Sequence, residues 1–341
     1  AGASYPCLLS SKENYMGQFS NYPNGFANGL TVRGIPITQA HPGHVYWVGN
    51  STVKMPNQKT ASNGNDGTFL APFSTVDYAV GRCTADRGDV IMVKPGHAES
   101  ITAATTLVLD VAGIAIVGLG EGTKRPTFTF TTANTATIPV SAANISVLNC
   151  AFVGNFLSIA SAITVGAAPH FTVENCSFTD TSAILGFLSA VTTTVTVNAD
   201  FLTIKDCYIK SDATTKSVAP IVVLGTMTGL TLKGNTVVQT VAQNNVSQFL
   251  SHAALVMTAA LIEDNKVYSV NTDTATGGAL ITTSATTGSG IVRNNVVRAL
   301  DIAAAIMVTA NAVQYGLFNN LYVGDGTSVS GFVLPAIGSD A

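Results

Sequence analysis

The chain has 341 residues, of which 47% are hydrophobic and only 10% are charged, and its formal net charge is −3. This composition supplies enough apolar surface for a large core and excludes an intrinsically disordered chain. Its 16 Lys and Arg residues cannot form the basic surface that phosphate binding requires, which argues against nucleic acid and anionic membranes as partners.

The termini and cysteines indicate where the protein is made. No apolar run approaches the roughly 18 residues of a membrane span, and the start AGASYPCLLS lacks the features of an export signal. The number of cysteines is odd and their positions are scattered, unlike a disulfide framework. We therefore expect reduced thiols in a protein made in a cytoplasm. The cysteines are Cys7, Cys83, Cys150, Cys176 and Cys207.

Residues 1–65 are predicted to form an N-terminal arm with anchoring strands. Residues 1–29 are rich in Asn, Gly and Tyr, and we expect them to be extended, either irregular or ordered by a partner. The stretches GLTVRGIPI and HVYWV have strand-like composition. Residues 50–67 are predicted to be a connecting loop.

Residues 66–88 contain the signals of a short capping helix. Ser74 is the predicted N-cap, Asp77 completes an acidic capping box, and Phe73 and Tyr78 have the spacing of a hydrophobic staple. An open end of a β-stack is a template for aggregation, so we expect this helix to cover the N-terminal end of the β domain. Its apolar face consists of Val76, Ala79, Val80 and Cys83.

Residues 89–325 contain a repeat, seen most clearly in ISVLNCAF, FTVENCSF and LTIKDCYI. The last residue of each NC, DC, GN, DN or NN pair is an anchor, and successive anchors are 25 to 31 residues apart. Because stacked amides can hydrogen-bond along a solenoid, we expect the anchors to form a structural ladder in the core. The predicted ladder consists of Cys150, Cys176, Cys207, Asn235, Asn265, Asn295 and Asn320.

The residue before each anchor predicts a bend. This column contains only Asn, Asp and Gly, which tolerate left-handed backbone angles. We therefore expect one tight turn per coil at this position. The bend column consists of Asn149, Asn175, Asp206, Gly234, Asp264, Asn294 and Asn319.

Side-chain alternation around the anchors predicts the fold. The positions three before and two after each anchor are apolar throughout, whereas the position two before it is mostly charged and therefore on the outer face. Strand, bend and strand repeated about every 28 residues is typical of a parallel β-helix, here of about nine coils. The frame ends after Tyr322, and residues 326–341 are expected to form a cap or tail. The outer column, predicted to form cross-strand ion pairs, includes Glu174, Lys205, Lys233, Glu263 and Arg293.

Few residues suggest catalysis. Glycoside hydrolysis needs two carboxyl groups about 5–9.5 Å apart. Asp206 and Asp264 lie two coils apart in the bend column, about 9.6 Å in a regular stack, and are the candidates for such a pair. Their column exchanges Asn, Asp and Gly for conformational reasons, which favours a role in the bend.

Other clusters are interpreted as structural. Lys94, His97 and Glu99 are the densest group of titratable residues, and acid–base chemistry is one reading, but an ordered surface turn is expected. The thiols of the ladder stack in parallel rather than converge, so no metal site is predicted. The stretch GLGEG lacks the Lys-Ser/Thr of a phosphate loop, and no cofactor is predicted.

Three stretches resemble virion structural proteins of tailed bacteriophages: RGIPITQAHPGHVYWVGN (33–50), DGTFLAPFSTVDYAVGRCTADRGDVIMVKPGHAESI (66–101) and GIAIVGLGEGTKRPTFTF (113–130). The resemblance covers roughly the first 130 residues. It implies an all-β fold, a right-handed single-stranded parallel β-helix of the pectin-lyase-like kind found in tailspikes, and a homotrimer. Family members on the capsid act as decoration proteins, and others on the tail bind or cleave polysaccharide.

Our leading hypothesis is a non-enzymatic, trimeric capsid decoration protein that stabilises the head, contacts the major capsid protein through its N-terminal region, and is a candidate for binding host-surface glycans. The alternatives are a tailspike-type hydrolase or lyase and a cellular surface adhesin. The single tryptophan, Trp47, lies outside the repeats, which argues against a glycan-cleaving groove. The low charge predicts faces buried between subunits, and AVTTTVTVN (190–198) and ALITTSATTGSG (279–290) would suit them.

Overall fold

The computed structural model describes residues 31–32, 35–36, 43–54, 56–195, 199–212, 219–240, 249–252, 256–269, 281–283, 288–299, 308–309, 313–323 and 331–333. The predicted arm (1–29) and most of the predicted tail (326–341) lie outside them. The chain divides into a unit of residues Ala1–Pro42 and a unit of residues Gly43–Ala341. In the first unit, strands β1 (Thr31–Val32) and β2 (Ile35–Pro36) pair antiparallel.

The second unit is a right-handed parallel β-helix, as predicted. Its first sheet receives one strand per coil, and all of its pairings are parallel. A short strand, β18 (Met227–Thr228), pairs beside it with β22. The main strands are β3 (Val45–Val48), β4 (Val90–Val93), β6 (Ala115–Gly118), β9 (Ser146–Leu148), β12 (Thr172–Glu174), β15 (Thr203–Lys205), β19 (Thr231–Lys233), β22 (Met257–Glu263), β25 (Gly288–Arg293) and β28 (Val313–Phe318).

The second sheet follows the first across the predicted bend. It contains nine parallel strands and ends in an antiparallel strand, so the chain leaves the repeat frame after β29. The strands are β5 (Ala98–Ile101), β7 (Thr127–Phe130), β10 (Ala151–Gly154), β13 (Ser177–Asp180), β16 (Tyr208–Ser211), β20 (Thr236–Gln239), β23 (Lys266–Ser269), β26 (Val296–Ala299), β29 (Asn320–Val323) and antiparallel β30 (Gly331–Val333).

The third sheet completes each coil. Seven coils contribute a strand to all three sheets, and partial coils at either end have described strands only in the first and second sheets. The third-sheet strands are β8 (Ile138–Val140), β11 (Ile163–Val165), β14 (Val191–Thr193), β17 (Ile221–Val223), β21 (Leu250–His252), β24 (Ile281–Thr283) and β27 (Val308–Thr309).

The core is built from columns of identical positions on successive coils. Phe128, Phe152 and Phe178 stack with ring centroids 5.7 and 4.9 Å apart, and all three are buried. Parallel pairing in register brings each apolar residue onto its counterpart in the next coil, so every coil supplies the burial that its neighbour lacks.

The helix α1 (Val76–Val80) forms in the predicted segment, and Val76, Ala79 and Val80 are buried. Its N-cap is Thr75, whose hydroxyl accepts from the backbone N–H of Tyr78, so the assignment of Ser74 as N-cap was wrong. The hydroxyl of Ser74 instead donates to Asn63 Oδ1 at 2.9 Å, and Asn63 lies in the loop that precedes the helix.

The predicted capping box is replaced by longer-range bonds. The carboxylate of Asp77 accepts from the backbone N–H of Val108 at 3.0 Å, and Glu99 accepts from the backbone N–H of Val76 at the helix start, also at 3.0 Å. The rings of Phe73 and Tyr78 make the expected contact, with centroids 5.0 Å apart. These bonds tie the helix to the first coils.

Candidate functional site

Each coil turns between the first and second sheets at the bend column. All seven predicted bend residues have positive φ, from 48° at Asn319 to 66° at Gly234. The backbone N–H at the bend donates to a carbonyl on the next coil, for example from Asn175 to Lys205 at 3.0 Å. Further upstream, Gly118 remains in β6, and the positive φ falls at Gly120.

The amide part of the ladder is fully buried and hydrogen-bonded. Asn265 Nδ2 donates to Asn295 Oδ1 at 2.9 Å and to Leu232 O at 2.9 Å. Asn265 Oδ1 accepts both the backbone N–H and the Nδ2 of Asn235, each at 3.0 Å. Asn235, Asn265 and Asn295 each link three coils in this way, and Asn320 accepts from Asn295 at the end of the ladder.

The thiols of the ladder make the equivalent contacts. Cys176 Sγ donates to Val147 O at 3.6 Å and accepts from the backbone N–H of Cys150 at 3.4 Å. In the asparagine coils, the carbonyl equivalent to that of Val147 accepts from a side-chain amide instead. Burial raises the pKa of Cys150 to about 12. A hydrogen bond with Cys176, together with burial, raises the pKa of Cys207. The thiols of Cys150 and Cys207 are therefore protonated structural groups rather than nucleophiles.

A second bend column, which the sequence analysis missed, lies between the third and first sheets. Its members have φ between 55° and 73°. Five of them lie six residues before an anchor, and Gly113 makes the same turn in the coil upstream of the first anchor. The residue directly after each of them, such as Phe171 or Leu202, is apolar and buried. An apolar residue at this constant position in every coil is the sequence signal that could have identified the second bend column. The described members are Gly113, Asn144, His170, Phe201, Gly229 and Ala259.

The outer charge column forms ion pairs between coils. Lys205 Nζ lies 2.7 Å from Glu174 Oε1, and Glu263 receives both Lys233 at 2.6 Å and Arg293 Nε at 2.7 Å. Hydrogen bonds from Lys233 and Arg293 lower the pKa of Glu263 below its ordinary value. The charges of the outer column are therefore paired within the surface that carries them.

Asp206 and Asp264 lie exposed at the bends, and Gly234 separates them in the column. Lys205 Nζ is 4.0 Å from Asp206 Oδ2. A Cβ placed on Gly234 would lie 2.3 Å from Asp206 Oδ1, so the carboxylate of Asp206 is directed over the next bend. This placement gives Asp206 a packing role at the turn.

The turn expected around Lys94, His97 and Glu99 forms, because the backbone N–H of His97 donates to Lys94 O at 3.2 Å. The expectation that it lies at the surface was wrong. Lys94 and His97 are both buried, and the loop before α1 contacts Lys94. Lys94 Nζ donates to Gln58 Oε1 at 2.7 Å and to Phe69 O, and lies 4.0 Å from the ring centroid of Phe69. Burial lowers the pKa of Lys94.

The His97 ring joins that cluster to the helix. His97 Nε2 lies 3.1 Å from Glu99 Oε2, the same oxygen that accepts from the backbone N–H of Val76. The Lys94 cluster and this pair hold the 56–70 loop and α1 on the first coil, which is a structural role.

The outer face of the third sheet has a row of uncharged positions. Thr164, Thr192 and Val222 lie in register on β11, β14 and β17, with Pro139 before them and Ser251 and Thr282 after them. Thr164 and Thr192 are partly exposed, whereas Val222 is buried within the chain. The row differs from the first sheet, where ionic pairs occupy the outer face.

Within the described ranges no group of three or more His, Cys, Asp or Glu residues could hold a metal ion. In the same part of the chain, no helix is long and apolar enough to cross a membrane.

Comparisons with known proteins show the fold. No protein-family model matches the chain, and no curated protein matches it significantly. Pectin methylesterase from carrot has a similar structure, with a TM-score of 0.50 and 13% identity, and the match covers 85% of each chain. At this identity, the similarity establishes a pectin-lyase-like parallel β-solenoid and no activity.

Two further structures have lower scores. A rhamnogalacturonan lyase aligns with a TM-score of 0.47 and 14% identity over 76% of this chain and 70% of its own. The ORF18 protein of Geobacillus virus E2 aligns with a TM-score of 0.34 and 9% identity over 95% of this chain and 65% of its own.

Proposed function

We propose that this chain is a structural protein of a bacteriophage virion that trimerises and decorates the capsid. The resemblance of residues 33–50, 66–101 and 113–130 to phage virion proteins supports this origin. The continuous ladder supports a structural role, because buried amides hydrogen-bond the successive asparagine coils to one another. In this proposal the N-terminal region contacts the major capsid protein.

The observation that carries the proposal is the uncharged row on the third sheet. The two stretches suggested for an intersubunit face, 190–198 and 279–290, contain β14 and β24, and both strands belong to this sheet. The partly exposed proline, threonine and serine side chains of this row can pack against copies of themselves without burying unpaired charge. Closed rotational symmetry would then repeat the contact around a threefold axis.

Light scattering on the purified chain tests the association. We expect the mass of a trimer for the wild type and of a monomer for Thr192→Arg, because the substitution places a charge in the middle of the row. Thr203→Arg, on the first-sheet outer face, is the matched control and should stay trimeric. A wild-type monomer at high concentration would contradict the proposal.

Cryo-electron microscopy of the native particle tests the location. Trimers on the shell, with the arm between capsid subunits, are the expected result. One set of copies at the tail tip would instead favour the tailspike alternative. Polysaccharide cleavage would then be assayed with Asp206→Asn and Asp264→Asn.

A further inference from the structure

The interior of the β-helix changes from apolar to polar along one column of the second sheet. The last inward-facing residue of the strand is Ile101 in β5 and Phe130 in β7, but Asp180 in β13, Ser211 in β16 and Gln239 in β20. All five side chains are buried. Because buried polar groups are almost always hydrogen-bonded, the later coils need partners that an apolar core does not supply.

Two of these polar residues line a small cavity at the corner between the second and third sheets. The cavity has a volume of about 10 Å³, and its walls come from β13, from β16 and from the segments that lead into β14 and β17. Asp180, Ser189 and Ser211 supply a carboxylate and two hydroxyls to its lining, and all three residues are buried. Lys210 also lines the cavity, but its Nζ bonds Asp212 Oδ2 at 2.6 Å.

The polar lining is held in place by bonds to Asp180. Its Oδ1 accepts from the backbone N–H of Phe187 and its Oδ2 from the backbone N–H of Asp212, each at 2.9 Å. A Cβ on Gly186 would lie 2.2 Å from Asp180 Oδ1, so a glycine is needed for the loop before β14 to approach this closely. The loop then reaches the cavity wall two residues later, at Ser189.

A second cavity of the same volume, about 10 Å³, has a different lining. It lies against Val76 of α1, and every residue around it is apolar, including Phe128 and Val147. A cavity lined only by apolar groups stays dry, whereas a cavity of about 10–15 Å³ or more with two to four polar partners holds a water molecule. Since the two volumes are equal, the lining distinguishes the two cavities.

We propose that the cavity lined by Asp180, Ser189 and Ser211 binds one ordered water molecule, which links β13 and β16 to the loop before β14. A carboxylate only accepts, so the water donates one hydrogen to Asp180. A serine hydroxyl can donate and accept, so the water donates its second hydrogen to one serine and accepts from the other. Three bonds are what a buried water typically makes. One carboxylate and two hydroxyls are too few for Ca²⁺, which takes about six to eight oxygen ligands.

The next coil gives independent support for water inside the stack. Gln239 lies in register with Ser211 and is 4% exposed. Within the described part of the chain, Gln239 Nε2 makes no hydrogen bond. A buried amide donor without a protein acceptor is a group that an internal water satisfies. The inference concerns the interior of the isolated chain, so it does not depend on the proposed place in a virion.

A crystal structure of the full chain, at a resolution that shows ordered waters, is the direct test. We expect one water peak within hydrogen-bonding distance, about 2.5–3.2 Å, of the oxygens of Asp180, Ser189 and Ser211, and no peak in the apolar cavity. An empty polar cavity would overturn the proposal. So would a peak at the shorter distances of a metal ion, about 2.0–2.6 Å from its oxygens.

Oxygen-17 relaxation dispersion tests the same site in solution, because it counts water molecules with long residence times. Ser211→Val replaces the hydroxyl by a methyl group in a strand that accepts a β-branched residue, and we expect one long-lived water fewer. Val147→Ile adds a methylene at the wall of the apolar cavity and is the matched control, with an unchanged count. An equal count in the wild type and a folded Ser211→Val variant would overturn the proposal. A lower count in Val147→Ile would contradict the argument from the lining.

Discussion

The backbone N–H of Cys207 donates to Asn235 Oδ1 at 3.0 Å, and this bond joins the thiol and amide coils in one ladder. The two side-chain types are interchangeable in this column because both place a donor at the same backbone carbonyl. Cys207 Sγ lies 3.6 Å from Val173 O, and Asn235 Nδ2 lies 2.9 Å from Ile204 O, its equivalent one coil later.

Asn265→Ala should destabilise the β-helix by about 2–4 kcal/mol, because it leaves two buried donors of Asn235 without their acceptor. Urea unfolding followed by circular dichroism measures the change. Lys266→Ala, at the exposed neighbouring position, is the control and should alter the free energy of unfolding by less than about 0.5 kcal/mol. Equal effects of the two substitutions would show that the ladder contributes no specific stability.

Cys207→Asn should raise the free energy of unfolding by about 1 kcal/mol, because an amide makes stronger hydrogen bonds than a thiol at this position. The same urea titration detects the shift. Cys83→Asn is a useful comparison, since Cys83 lies outside the ladder and should show no gain. A loss of stability in Cys207→Asn would mean that the thiol coils have a different spacing from the amide coils.

Gly234→Ala should lower stability by about 1–2 kcal/mol, because it adds a Cβ at a φ of 66°. That Cβ would also meet Asp206 Oδ1. A double-mutant cycle with Asp206→Ala separates the two causes: we expect the double variant to recover the part due to the contact. Strict additivity would show that Asp206 moves aside without cost.

Asp89 should make stability depend on pH. Its buried carboxylate accepts from the backbone N–H groups of His44 and Thr84 and from the Arg87 guanidinium, all at 2.7 Å. Burial alone would raise the pKa of Asp89, but these bonds outweigh it and lower the pKa to about 2. Because the folded pKa is below the unfolded value of about 3.9, this stability is present above pH 4 and is lost as the pH falls towards 2.

Asp89→Asn should therefore reduce the free energy of unfolding by about 2 kcal/mol at pH 7. It should also make the melting temperature depend less on pH between pH 4 and pH 2. Thermal unfolding across this range measures both effects. Asp66→Asn, an exposed carboxylate in the preceding loop, serves as the control. If the wild type and Asp89→Asn showed parallel pH profiles, the acid sensitivity would have to arise elsewhere.

The anchor column made much of the β-helix predictable. Each anchor side chain must stack on the equivalent side chain of the next coil, so the column contains only Cys and Asn and the repeat can be recognised in the sequence. The second bend column was missed because its residues are chemically diverse, although the buried residues after them, Ile145, Phe171, Leu202 and Leu230, keep a constant offset from the anchors. The third sheet was not predicted as a sheet, since loops of variable length precede its strands.

Errors at the N-terminal end had a common cause. Ser74 has the local signature of an N-cap, but its hydroxyl donates to Asn63, and the helix is capped one residue later by Thr75. Lys94 follows the rule for an exposed turn, but Gln58 and Phe69 enclose it from a loop at least 25 residues away in sequence. Contacts of this range depend on how the loop folds back, which local sequence patterns do not encode.

The amide ladder has a direction. Asn235, Asn265 and Asn295 each donate one Nδ2–H to the Oδ1 of the asparagine on the following coil and also donate to a backbone carbonyl of the preceding coil. The amide-to-amide bonds therefore all run in one direction, and the C-terminal face of each of these coils presents a backbone N–H and an Nδ2–H to the next Oδ1. A ribosome releases the chain in the same direction, with the N-terminal coils first. Each newly made asparagine therefore meets donors already in place, and the polarity of the stack matches the order of its synthesis.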